Sequence, residues 1–199
     1  MRLSPGTIAG LLASAFLLLA LGYPLWVILS RSLESAQGWL GVLENPYYRE
    51  RLGFTTFQAL LSTLLTVALG VPGALVFARY DFIGKRLLRS AFTIPFVMPT
   101  VVAALGFLAL VGPHGLLGLD LRGSFALLLL AHVFYNYAIV VRLVGGFLEG
   151  LGARPREAAA MLGAGPWRSF WRVTLPLAAP AVLAAAVLVF IFCFTSFGV

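Results

Sequence analysis

Five stretches of this chain carry no Arg, Lys, Asp or Glu: residues 3–30, 52–78, 90–119, 123–141 and 173–199. No other feature narrows the fold so far, because one charge at the centre of a membrane-crossing helix costs about 2.5–3.5 kcal/mol on the insertion scale. Each run is near or above the ~20 residues a helix needs to cross ~30 Å of hydrocarbon. The expectation is an all-α polytopic membrane protein with about five transmembrane helices, at residues 7–29, 54–78, 91–111, 125–144 and 177–198. Composition agrees, since 61% of the residues are hydrophobic and only 11% charged, which excludes an ordinary soluble domain. The first run exceeds the roughly 7–15 residues of a signal-peptide core, and no small-x-small cleavage site follows at once, so it reads as a retained helix.

Charge sets the orientation. Lys and Arg outnumber Asp and Glu by fourteen to seven, yet the basic residues fall in short gaps between apolar runs, which argues against nucleic-acid binding. With the N-terminus in the cytoplasm, the inner face carries Arg2, then Arg79, Lys85, Arg86 and Arg89, then Arg142, Arg154, Arg156, Arg168 and Arg172. The outer face then carries only Arg31, Arg49, Arg51 and Arg122, as the positive-inside rule prefers. On this reading residues 1–53 form an N-terminal helix and external loop, and residues 54–199 a second domain whose loop 145–176 faces the cytoplasm. Cys193 lies in an apolar run, can form no intrachain disulfide, and reads as packed against lipid or another helix.

The loop is unlike the rest of the chain. Pro155 suits the first turn of a helix, "REAAAML" (156–162) favours that helix, and Gly163 can take the left-handed cap that ends it. Pro166 then starts a second helix in which Trp167, Phe170, Trp171 and Thr174 share a face, with Arg168 and Arg172 four apart on another. Indole rings beside arginines suit the headgroup layer, where this helix would lie until Pro176 and Pro180 redirect the chain into the fifth span. The first short helix presents Glu157 as an exposed acid and Ala158–Ala160 as a nearly side-chain-free surface, which suits docking of another protein. The plainer reading is a charged interfacial loop of a kind many membrane proteins carry.

The spacing Glu157-Ala158-Ala159, three residues, Gly163, nine residues, Val173, one residue, Leu175-Pro176 resembles the EAA loop, E-A-A-x3-G-x9-I-x-L-P, of ABC importer permeases. Only the Ile differs, by a conservative Val. Residues 63–110 are similar to the paired second and third helices of the same family, and the likeness covers roughly residues 50–199. "GPHGLLG" (112–118) and "FIFCFTSFGV" (190–199) are most similar to the branch importing ferric iron, with thiamine and related solutes as near neighbours. The resemblance implies the MetI-like fold of type I importers in a bacterial plasma (inner) membrane. It assigns ATPase coupling to Glu157, Ala158, Ala159, Gly163, Val173, Leu175 and Pro176. The partners it implies are a cytoplasmic ATPase dimer, an extracytoplasmic substrate-binding protein and a second permease half, with membrane lipid around them. Members of the iron branch are usually fused chains with two such loops, whereas this chain has one and stops where a sixth helix is expected, so an N-terminal half or a truncated permease is the expectation.

Other residues leave alternatives open. His132 and Asn136 lie four apart on the fourth span and either line the translocation route or make an interhelical hydrogen bond. Tyr135 and Tyr137 are open to an iron-ligand reading, although core or interface packing accounts for them. Pro72, Pro95 and Pro99 are hinges or fixed kinks. His114 has no partner at metal-ligand spacing, so no metal or cofactor site is expected. The chain contains neither G-x-x-x-x-G-K-[ST] nor H-E-x-x-H, and no acid falls inside an expected span. An enzyme is therefore not expected, with ATP hydrolysis left to a separate subunit, and a secondary transporter or channel is the competing reading.

Overall fold

The computed structural model describes residues 5–34, 41, 44–98 and 100–196. Arg2, the stretches 35–40 and 42–43 of the expected external loop, Pro99 and the last residues of the expected fifth span lie outside them. The described elements are helical. In order they are α1 (Pro5–Leu17), a π-helical turn π1 (Leu18–Gly22), α2 (Tyr23–Glu34), α3 (Pro46–Arg79), α4 (Lys85–Ala91), α5 (Ile94–Val97) and α6 (Thr100–Val111). Next come α7 (Phe125–Leu151), α8 (Arg154–Met161), α9 (Pro166–Ser169), a second π-helical turn π2 (Phe170–Thr174) and α10 (Leu175–Phe194). Contacts divide the chain into Met1–Gly53 and Phe54–Val199, a boundary that falls within α3.

Among the described residues four helical runs are long and apolar enough to cross a membrane: Gly10–Arg31, Pro46–Arg79, Phe125–Leu151 and Pro166–Phe194. The expected third span, 91–111, is not one helix. Met98 is extended at ψ 139°, the conformation favoured before a proline, and Pro95 sits in the first turn of α5, so the segment breaks into α5 and α6. The apolar helix left over, Val101–Val111, is too short to span alone. Its end is nonetheless fully hydrogen-bonded. The glycine-rich loop folds back so that Gly112, Leu116, Leu117 and Leu121 donate to the carbonyls of Leu108, Ala109, Leu110 and Val111, at 2.8–3.0 Å. Those are the four acceptors that a helix end leaves orphaned, and hydrocarbon offers no water to satisfy them.

Prolines act differently in the outer spans. Each π-turn ends two residues before one, Pro24 or Pro176. A proline ring crowds the carbonyl four residues back and offers no N–H, and a widened turn moves that carbonyl aside. Leu175 N–H accordingly returns five residues, to Phe170 O. The helix therefore runs unbroken through Pro176 and Pro180 from Pro166 to Phe194, correcting the expectation that these prolines redirect the chain. The second span also starts earlier than expected: Asn45 Oδ1 accepts from Tyr47 N–H at 3.0 Å and Pro46 fills the first helical position, an N-cap that fixes the start upstream of Arg49 and Arg51. The fourth span begins where expected, because Ser124 Oγ accepts from Leu127 N–H.

Within Phe54–Val199 the core is a seam where α3, α7 and α10 meet, around Ala74, Val140, Val144, Ala185, Val189 and Cys193. On α3 the buried positions Ala59, Ser62, Thr66, Gly70 and Ala74 recur every three or four residues and are small, which lets backbones approach in lipid. A Cβ on Gly70 would stand 2.6 Å from Val140 Cβ, and one on Gly73 would strike the Tyr137 hydroxyl. Large apolar side chains such as Leu60, Leu64 and Leu69 face outward. Such an inverted distribution suits a bilayer. In the turns between helices, Lys85 donates to Asp81 and Arg122 to Asp120, and each cation holds its neighbour's carboxyl below the usual carboxylate range.

Candidate functional site

The end of the bundle that carries loop 145–176 is built from four segments. Helix α7 stops at Gly152, whose φ of 69° turns the chain, and α8 starts at once with Pro155 in its first turn. Helix α8 ends as expected at Gly163. Ala164 N–H reaches Ala159 O at 3.0 Å and Gly163 N–H reaches Ala160 O at 2.9 Å, with Gly163 at φ +78°. This paired closure requires a left-handed residue, and glycine takes that conformation without a Cβ penalty.

On α8, Glu157, Ala158 and Ala160 are exposed, whereas Ala159 is buried against the rest of the loop. The three alanines are thus not one open surface, since the middle one faces the packed side of the helix while its two neighbours, each ~100° away, face solvent. Met161 and Leu162 take that place at 89% and 88% exposure. Sequence reasoning passed over this pair, although two large apolar residues just ahead of a capping glycine, remote from any span, were the available signal. The remaining motif positions lie elsewhere. Val173 and Leu175 are half-buried on the π2–α10 side, and Pro176 is exposed.

Two polar bonds pin this end. Arg79, the last residue of α3, donates to Thr174 Oγ1 at 3.0 Å, which turns Thr174 inward and away from the exposed rings of Trp167 and Trp171. Arg89 of α4 pairs with Glu149 of α7 and lies over the Phe77 ring. Neither pairing has a sequence signal, since the partners are 95 and 60 residues apart. Trp167, Phe170 and Trp171 do cluster as expected, with ring centroids 5.2–6.0 Å apart.

His132 and Asn136 lie in the seam, 3% and 6% exposed. His132 Nδ1 and Ser62 Oγ are 2.9 Å apart, and Asn136 Nδ2 donates to His132 O at 2.9 Å and to Cys193 Sγ at 3.6 Å. Gln58, also missed from sequence, donates to Cys193 O at 3.0 Å. The cluster therefore ties α3, α7 and α10 together. Tyr137 packs on Phe92 and over Gly73, a packing role and not a ligand set. Among the described residues no group of three His, Cys, Asp or Glu stands close enough to hold a metal ion.

Residues 70–199 match the family described as the binding-protein-dependent transport system inner membrane component. The chain is similar to the molybdenum transport system permease protein of Azotobacter vinelandii, with 38% identity over 149 residues covering 71% of this chain and 66% of that protein. It is 32% identical over 183 residues to the probable sulfate transport system permease protein of Nephroselmis olivacea, covering 88% of this chain and 64% of that one. A sulfate transport system permease protein of Escherichia coli K12 is 32% identical over 207 aligned positions, 99% of this chain and 74% of the relative. The chain spans just under two thirds of the length of the first two. None of the three is named for iron, so the ferric-iron expectation drawn from residues 112–118 and 190–199 gains no support from them. The first of those segments has a structural task instead, closing the end of α6. By this match over residues 70–199 and by its all-helical, multi-span architecture, the chain belongs to the family of binding-protein-dependent transport system inner membrane components.

Proposed function

We propose that the chain is a permease subunit of an ATP-driven importer and that loop 145–176 couples it to a cytoplasmic ATPase. The observation that carries this reading is α8 itself: a short helix closed by Gly163 that leaves Glu157, Met161 and Leu162 open to solvent in a chain of this family. Burying each of the two large side chains in a partner's groove would stabilise the contact by about 1.5–3 kcal/mol, and Glu157 would pair with a basic group at the rim. Val173, Leu175 and Pro176 anchor the loop through π2 and α10, and Ala159 packs it from beneath. The N-terminus lies in the cytoplasm, which puts the loop on the ATPase side. A second permease half completes the pathway, and an extracytoplasmic binding protein delivers cargo. For His132 and Asn136, burial and bonding favour an interhelical tie over pathway lining.

The names of the relatives point to a tetrahedral oxyanion, sulfate or molybdate, as cargo in place of ferric iron. The test is uptake into vesicles holding the permease with its ATPase and binding protein, using labelled sulfate, molybdate and ferric iron. ATP-dependent uptake of an oxyanion is expected. Uptake driven by an ion gradient without ATP would instead favour a secondary carrier, and ATP-driven uptake of iron would restore the iron reading.

A further inference from the structure

Behind α8 lies a cleft of about 190 Å³, walled by the ends of α3 and α7, the start of α8 and residues 173–177. Its size is below the ~300–1,000 Å³ of pockets that take drug-sized ligands. Arg79 and Arg156 both line it, and their guanidinium charges repel one another. Glu149 also lines it, but its carboxylate is engaged by Arg89. Among the described residues Arg156 makes no ion pair. Arg79 donates once, to Thr174 Oγ1, leaving other N–H groups of its five for a ligand. Two like charges brought to one small cleft, with the nearby acid already committed, call for an anion between them.

We propose that this cleft binds a small inorganic tetrahedral oxyanion, held between the guanidiniums of Arg79 and Arg156. A guanidinium presents parallel N–H donors matched to two oxygens of such an ion. An acidic side chain of the ATPase is the less favoured occupant, because the walls come from four segments of this chain and the open residues Glu157, Met161 and Leu162 lie outside them. The ion would bridge α3 to the first turn of α8. It would thereby clamp the coupling helix against the bundle. Resting on the importer reading with an oxyanion cargo, this makes cargo accumulated in the cytoplasm a brake on its own import.

The experiment is equilibrium dialysis of labelled sulfate, molybdate and phosphate against the full permease–ATPase complex in phosphatidylcholine nanodiscs, at constant ionic strength set with chloride. Wild type should bind at least one of these ions saturably. Arg156→Gln should weaken binding ~10-fold or more, as loss of a charge-assisted pair implies, and Arg156→Lys should weaken it less. Added oxyanion should slow ATP hydrolysis by the wild-type complex and leave the Arg156→Gln complex unaffected. No saturable binding, or equal binding to the Arg156→Gln complex, overturns the proposal. Loss of ATPase association in Arg156→Gln without any ion binding overturns it in favour of the acidic side chain. Binding without ATP-driven uptake leaves the site standing and sinks the importer reading, whereas uptake without binding sinks only the site.

Discussion

Gly163 concentrates the chemistry of the loop in one backbone angle. At φ +78° a β-branched side chain is a steric outlier, and an L-residue pays about 1–2 kcal/mol to adopt the left-handed region. Gly163→Val should therefore unravel the last turn of α8, where Ala164 and Gly163 close onto Ala159 and Ala160, and displace Met161 and Leu162. Among the described residues nothing else packs at that Cβ position, so insertion into the membrane should be intact while transport and ATPase co-purification fall sharply. Gly70 makes the opposite case. Its missing Cβ is what lets α3 meet Val140, so Gly70→Leu should cost at least the 1–3 kcal/mol typical of overpacking and lower the thermal unfolding midpoint in detergent, with the loop unaltered.

Among the elements, legibility followed the kind of force involved. The start of α7 at Ser124 and the cap at Gly163 were readable because local chemistry sets both. Helix α3 began at Pro46 and not at 54 because charge-free runs mark the hydrocarbon, whereas helices extend into water; the Asn45-Pro46 start signal was present and the charge criterion passed over it. The broken third span had its prolines in plain view, but whether a proline breaks, kinks or is absorbed depends on the turn before it. Pro95 stands in the first turn of α5 and the chain breaks just after it, at the extended Met98, while Pro24 and Pro176 are absorbed by π-turns. The ties from Arg79 to Thr174 and from Arg89 to Glu149 had no local signature at all. Pro176→Ala should remove the reason for π2 and let the turn relax to α geometry, rotating residues before it by ~100°. Thr174 would then leave Arg79, and transport should drop although the exposed face of α8 still binds the ATPase. Parallel measurement of uptake and of ATPase co-purification checks both halves.

At the largest scale, the unit Phe54–Val199 is a helical bundle whose apolar surface faces outward, whose seam is tied by Gln58, Ser62, His132, Asn136 and Cys193, and whose loop end is pinned by two arginines. Division of labour follows from that arrangement. The seam fixes the spans to one another, and under the proposed coupling role force applied at α8 would pass to π2, which Arg79 ties to α3 and which continues into α10. The most direct measurement is crosslinking in intact cells that also make the cognate ATPase and binding protein, using an Ala158→Cys variant and a thiol–amine reagent, with Leu117→Cys at the other end of the bundle as control. Buried Cys193 should be silent. The account predicts a crosslink from Ala158→Cys to the ATPase, altered by nucleotide, and none from Leu117→Cys. An Ala158→Cys permease that transports normally and never crosslinks to the ATPase would contradict it.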